Sequence, residues 1–241
     1  MQNPTCIVLI PYYKNDLSDC EKYSLESALK VFEKQKLCLI CPHNVKLSGL
    51  SEQLQVMRFD DKYFQSLRGY NQLMLSSFFY ERFLNYEYIL IYQLDALVFR
   101  DELTYWCSLG YDYYGAPWNI KTWKFKYFNL FGLLNYKVGN GGFSLRKTNT
   151  FYKMAKRIKR IKGLIKFGED IFWCNFGRVL IINFKVLDYK NAIRFAFESN
   201  PEELYAINHN QLPFGCHAFE KNNLQFWKEV LPALKDKVET D

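Results

Sequence analysis

Four groups of residues in this chain have types and spacing suited to chemistry. The first centres on Asp95, which closes the run Glu87-Tyr-Ile-Leu-Ile-Tyr-Gln-Leu-Asp95 and is followed at once by apolar Ala96 to Phe99. The unbroken apolar segment Tyr88 to Tyr92 suits a strand buried on both faces, as in a parallel sheet. A carboxylate just past the end of such a strand lies at the carboxyl edge of the sheet, where open α/β folds bind ligands. Asp is seldom buried unless it meets a partner, here a cation or a hydroxyl.

The second group is Gly139-Asn-Gly141-Gly142, ahead of the strand-like Phe143 to Arg146. Glycines here permit positive φ or close approach of a ligand to the backbone; the plain alternative is a tight turn opening a strand. The spacing is neither the dinucleotide fingerprint nor a P-loop. The third is the adjacent pair Glu169-Asp170, which introduces the apolar, aromatic stretch Ile171 to Cys174. Capping and the helix dipole account for one acid at a helix start; a second points toward a site where it accepts a proton from a hydroxyl. The fourth is His217 in an apolar loop, either a hydrogen-bonded structural residue or a ligand. Asp95 and His217, with diphosphate oxygens and water, could complete an octahedral shell for manganese or magnesium.

The elements that must position these groups follow from periodicity. Cys6 to Pro11 reads as a first buried strand, and Ser18 or Asp19 caps a helix whose inner stripe is Tyr23, Leu25, Ala28, Leu29 and Phe32. Leu37 to Cys41 and Gln55 to Phe59 read as the next strands, and Tyr70 to Phe83 has helical period and leads into the strand before Asp95. Asp101 to Leu109 reads as a short helix and Asp112 to Trp118 as a strand running into a loop. That order of strands and helices implies a parallel sheet with right-handed crossovers. Trp118 to Lys137 is aromatic, basic and without clear period, long for a plain connection.

At 241 residues, 49% of them hydrophobic, the chain suits one folded α/β domain and excludes a disordered protein. Seven scattered cysteines include Cys38 and Cys41 at Cys-x-x-Cys spacing, but these lie within a strand and no second pair completes a zinc site. Buried free thiols and a reducing cytoplasm are the expectation. No apolar run is long enough to span a bilayer. The net charge of +7 is concentrated: Lys153 to Lys166 holds seven basic residues and no acid. With Ile158, Ile161 and Ile165 at helical spacing, this segment reads as a basic amphipathic helix, either solvated or held to anionic lipid. A nucleic-acid partner is disfavoured, because the cations sit in one segment and the aromatics mostly keep core periodicity.

In order along the chain, these features resemble the glycosyltransferases of the A-type (GT-A) fold. They are closest to a bacterial family of unassigned function grouped with them, and more distantly like the Fringe and β-1,3-galactosyltransferase group. The residues carrying the resemblance are Tyr70-Asn71-Gln72-Leu73, Gln93-Leu94-Asp95, Gly139 to Arg146, Glu169-Asp170-Ile171-Phe172 and His217, over about residues 5 to 220. The departure is Gln93, where the family pattern has the first acid; its carbonyl can ligate a hard cation without adding charge, or contact the ribose.

The resemblance implies a single Rossmann-like GT-A domain over residues 1–241, with a mostly parallel central sheet flanked by helices. Residues 1–100 would form a nucleotide-sugar half and residues 101–241 an acceptor half. It implies an inverting transfer from a nucleoside diphosphate sugar to a glycan or lipid-linked acceptor in bacterial surface glycan assembly. Pro11, Tyr12, Asn71, Gln93, Asp95, Gly141 and Gly142 would bind the donor, and Asp95 and His217 a manganese or magnesium ion. Asp170 would be the general base, with Glu169 the alternative. Such an enzyme would work in the cytoplasm or at the inner face of the membrane. A rival reading is a non-catalytic carbohydrate- or nucleotide-binding module on the same scaffold, which would not need Asp170.

Overall fold

The computed structural model of the protein describes residues 5–47, 50, 54–118 and 138–238. Apart from Trp118, the aromatic, basic loop lies outside the described residues.

A six-stranded sheet forms the centre of the fold. It contains β1 (Cys6–Pro11), β2 (Lys36–Pro42), β3 (Gln55–Phe59), β4 (Tyr88–Tyr92), β6 (Tyr113–Tyr114) and β7 (Phe143–Lys147), in the order β3-β2-β1-β4-β7-β6. The first four strands are parallel, and β7 runs antiparallel to both β4 and β6. The sheet is therefore mixed but mostly parallel, as expected. All five residues of β4 are buried, which explains its unbroken apolar sequence: it lies between β1 and β7 with both faces covered.

The register places the chemistry at one edge. Tyr92 lies opposite Phe143, and the Gln93 amide donates to the Gly142 carbonyl at 2.8 Å. The chain beyond β4 and the glycine turn before β7 thus emerge side by side.

The helix after β1 spans Asp19–Val31 and is capped by Ser18, whose Oγ accepts from the Glu21 amide while Glu21 accepts from the Ser18 amide. Tyr70 to Phe83 is two helices rather than one, Leu67–Met74 and Ser77–Glu81. The break falls at Ser76, whose hydroxyl bonds back to the Leu73 carbonyl at 2.6 Å and competes with the helical ladder. Of the expected Asp112 to Trp118 strand, Tyr113–Tyr114 joins the sheet and Pro117 makes only an isolated bridge to Val138. The basic segment is likewise not one helix. The helix Thr148–Arg157 ends at the fully buried Ile158, and a separate 3₁₀ turn spans Lys162–Leu164. Like charges three and four residues apart, such as Lys156, Lys159 and Arg160, oppose continuation.

A second, three-stranded sheet was not legible in the sequence. β5 (Leu97–Val98) pairs antiparallel with β9 (Gly215–Cys216), which pairs parallel with β8 (Ala196–Phe197). Each strand is two residues long, so the sheet depends on packing, here a cluster that includes Phe197, Phe219, Phe226 and Trp227. Gly215 is needed for close approach: a Cβ there would lie 2.7 Å from the Leu97 carbonyl oxygen and collide with the Phe143 ring. Gly215→Ala should therefore lower stability by about 1–3 kcal/mol through overpacking, measured by urea denaturation. Unchanged stability would show that the two sheets tolerate separation here.

Candidate active site

Asp95, Glu198 and His217 meet because the small sheet delivers all three to one end. Asp95 precedes β5, Glu198 follows β8 and His217 follows β9; the antiparallel pairing of β5 with β9 and the parallel pairing of β8 with β9 bring these positions together. Main-chain bonds fix the loop: the His217 amide donates to the Phe197 carbonyl at 2.9 Å, and the Phe219 amide to that of Asp95 at 3.2 Å.

The imidazole of His217 lies between two carboxylates, with Nδ1 2.9 Å from Glu198 Oε1 and Nε2 3.1 Å from Asp95 Oδ1. Nε2 is also 3.3 Å from the Gln93 side-chain oxygen. Burial alone would lower the His217 pKa, but Asp95 and Glu198 outweigh it and raise the value to about 10. Burial pushes the Asp95 carboxyl up; hydrogen bonding and charge from His217, with Lys221 at 3.5 Å, hold it below its ordinary value nonetheless. Glu198 was not singled out in the sequence, because nothing in Phe197-Glu-Ser distinguishes it from a surface acid.

The glycine turn closes the gap between this cluster and the paired acids. A Cβ on Gly142 would collide with the His217 ring and lie 2.7 Å from Gln93 Oε1, whereas one on Gly141 would lie 2.8 Å from Glu169 Oε1. Only residues without side chains allow both neighbours so near. Asn140 holds the turn, its Oδ1 accepting from the amides of Gly142 at 2.8 Å and Phe143 at 3.2 Å.

The two adjacent acids have separate environments. Glu169 is 2% exposed and forms a bidentate pair with Arg146, with Nη2 to Oε1 at 2.7 Å and Nη1 to Oε2 at 3.0 Å. Arg146 is fully buried on β7 and also donates to Tyr80, Ser144 and the Gly141 carbonyl. Asp170, next along in the helix Glu169–Leu180, has no such cation. Burial, then the Glu169 charge, raises its carboxyl pKa to about 6, against smaller opposing effects from the Ile171 amide and Arg146. It is therefore mostly ionised at neutral pH, yet a better proton acceptor than an exposed Asp.

A cleft of about 610 Å³ opens beside Asp95, lined by Pro11, Tyr13, Phe64, Tyr70, Gln93 and Lys221 among others. Of the residues expected at the donor site, Pro11, Gln93 and Asp95 line it. The Tyr12 side chain is buried at 6% exposure, and its neighbour Tyr13, half exposed, faces the cleft instead. Alternation along an extended chain puts consecutive side chains on opposite faces, a signal available from the sequence. Asn71 stands at the start of the helix Glu169–Leu180, its Oδ1 3.5 Å from the Glu169 amide. The buried Tyr70 hydroxyl sits beside the Gln93 side chain in the cleft wall without a well-formed hydrogen bond to it, and is a donor available to a ligand.

Among the described residues, no group of three His, Cys, Asp or Glu side chains is arranged to hold a metal ion. A carboxylate, an imidazole and an amide oxygen nevertheless converge in Asp95, His217 and Gln93. That donor set is chemically suited to manganese or magnesium if the ion displaces the Nε2 proton that the two carboxylates otherwise hold on His217 and diphosphate and water oxygens complete the shell.

A family model described as "Protein of unknown function (DUF5672)" matches residues 53–217. No curated protein is recognisably similar in sequence. Among solved structures, the chain is similar to the galactosyltransferase LgtC in complex with donor and acceptor sugar analogues. The TM-score is 0.58 at 11% identity, covering 98% of this chain and 97% of that one. It is similar to mouse xyloside xylosyltransferase 1 in its apo form, with a TM-score of 0.55 at 14% identity over 89% of this chain and 98% of that one. It is also similar to core-mannan synthase A from Aspergillus fumigatus in a Mn/GDP form, with a TM-score of 0.52 at 10% identity over 79% and 73%. At such identities the likeness shows the fold, which is that of the GT-A glycosyltransferases.

Two predictions follow from these environments. Removing one partner of the buried pair, as in Glu169→Ala, should lower stability by about 3–5 kcal/mol, because it leaves the Arg146 charge uncompensated; a loss under 1 kcal/mol in urea would contradict the pairing. Asp170 should act in the opposite sense. Its pKa is raised from 3.8 to about 6 in the folded protein. It therefore favours folding below about pH 4, loses that contribution as pH rises through 6, and opposes folding when ionised. Asp170→Asn should thus stabilise the protein by roughly 1–3 kcal/mol at pH 7.5, with the gain vanishing below about pH 4. Equal gains at both pH values would disprove the linkage.

Proposed function

The chain belongs to the DUF5672 family, and from that premise we propose that it is a glycosyltransferase moving a sugar from a nucleoside diphosphate sugar to an acceptor hydroxyl. The observation that carries this reading is the pairing of functions along one sheet edge. A cleft ends at Asp95 and its His217 partner, and the glycine turn connects that cluster to Asp170, a partly buried carboxylate with a raised pKa.

In this reading Tyr13, rather than the buried Tyr12, stacks against the base or ribose, and Pro11 shapes the floor beside it. Gln93 and Tyr70 offer hydrogen bonds to ribose or diphosphate, and Lys221 brings positive charge to the cleft beside Asp95, whereas Lys14 is paired with Glu21. A divalent cation held by Asp95, His217 and Gln93 would neutralise charge developing on the leaving diphosphate. Glu198 fixes the His217 ring through Nδ1, leaving Nε2 turned toward Asp95 and Gln93. The chain works as one unit: residues 1–100 supply most of the cleft, and residues 101–241 supply the base and His217.

Asp170 is the general base. It takes the acceptor proton as the acceptor oxygen attacks the anomeric carbon opposite the leaving diphosphate, which inverts configuration. Glu169 is unsuited to this step because Arg146 engages both of its oxygens. Its role is to hold the helix start that carries Asp170, with Asn71 beside it. Gly141 and Gly142 give a sugar access to the backbone between base and cation site. A glycan acceptor, in the assembly of bacterial surface polysaccharide or glycoconjugate, is the substrate class consistent with the resemblance read from the sequence.

Asp170→Asn should retain nucleotide binding and lose turnover by about 10²–10⁴-fold, read as transfer over a panel of sugar nucleotides with and without manganese. Wild-type turnover should rise with pH through about 6 as Asp170 ionises. Asp95→Ala should weaken UDP or GDP binding in manganese by calorimetry while leaving the fold intact. Turnover undiminished in Asp170→Asn would remove the base and favour a non-catalytic binding module.

A further inference from the structure

The turn that replaces the expected long basic helix exposes two apolar side chains among cations. Ile161 is 50% exposed and Leu164 76% exposed, whereas Ile158, which ends the preceding helix, is fully buried. None of the seven basic residues from Lys153 to Lys166 pairs with an acid among the described residues. Lys162 lies 5.4 Å over the Phe78 ring, and Phe78 packs on Tyr63 and Phe59, which carry Lys62 and Arg82 at 5.1 Å. Burial, then the nearby Lys159 and Lys62, lowers the Lys162 pKa; Lys62 pairs with Asp60 at 2.7 Å, whereas Lys159, Lys162 and Arg82 have no carboxylate partner among the described residues. This face leads to the site in two directions. Tyr63 runs on to Phe64 and Ser66 in the cleft wall, beside Leu67 at 75% exposure; Lys166 is four residues from Asp170.

We propose that this face, with Ile161 and Leu164 at its tip and Lys159, Lys162 and Arg82 around them, docks on an anionic lipid bilayer. The match is one of charge and shape: exposed apolar side chains enter the acyl boundary while flanking cations meet anionic headgroups. Docking in this way would present a lipid-linked acceptor beside Asp170, a consequence that rests on the glycosyl-transfer reading. The docking itself does not.

Sedimentation of the full chain with vesicles tests the surface. Vesicles of phosphatidylcholine alone are compared with vesicles containing about one third phosphatidylglycerol. The protein should pellet with the anionic vesicles at low salt, remain in solution with the neutral ones, and be released by high salt. Lys159→Ala with Lys162→Ala should weaken binding by roughly fivefold per charge. Ile161→Ser with Leu164→Ser, at unchanged charge, should weaken it by about tenfold or more. Equal recovery in solution with both vesicle types at low salt overturns the proposal. So does full affinity in the serine variant together with equally tight binding of a short oligonucleotide, which would identify a general polyanion surface. Turnover of sugar nucleotides without vesicles is read separately, so a failure of docking and a failure of the transfer reading are distinguishable.

Discussion

A guanidinium with no exposed surface is stable in a protein interior only if its charge and donors are met in place, and Arg146 imposes that demand on this fold. It stands on β7, in the middle of the pairing between β4 and β6, so the sheet fixes its position. Glu169 must come to it, which determines where the helix Glu169–Leu180 begins. The Gly141 carbonyl and the Tyr80 hydroxyl are drawn into the same network. One buried pair thus ties the glycine turn, the central sheet and the helix bearing Asp170 together. A burial that would otherwise cost several kcal/mol is offset by bidentate geometry.

The same pair explains why neighbouring carboxylates have different chemistry. Glu169 has two fork-shaped hydrogen bonds and serves as an anchor. Asp170 is only partly buried and lacks the cation, and the Glu169 charge adds to desolvation in raising its pKa. Leaving Asp170 without a cation of its own is what raises its proton affinity. At the other end of the glycine turn the balance is reversed: Asp95 and Glu198 share His217, and Asp95 stays ionised despite burial. Where the chain has Gln93 instead of an acid, Glu198 places a second carboxylate near His217 from a distant part of the sequence.

Much of the main sheet was legible, because buried parallel strands such as β1, β2 and β4 write uninterrupted apolar runs and are separated by helical periods. The Ser18 cap and the short helix Leu103–Ser108 were legible for similar local reasons. The small sheet was not: two-residue strands have no period, and β5 pairs with a strand more than a hundred residues away, Leu97 opposite Cys216. The helix ends at Ser76 and Ile158 were not legible, because a local hydrogen bond, or a core anchor among like charges, interrupts a periodicity that the sequence continues.

By itself, the sequence determined which residues were available for chemistry and that Asp95 would stand at the carboxyl edge of a buried strand, since hydrophobic period and burial are properties of short segments. The tertiary structure alone decided the division of labour among them. Glu169 became an anchor and Asp170 a poised acceptor because Arg146 reaches only one. Tyr13 faced the cleft instead of Tyr12, and Glu198 joined His217 through strand pairing. A side chain's partners and solvent exposure set its proton affinity, and both depend on residues distant in the chain.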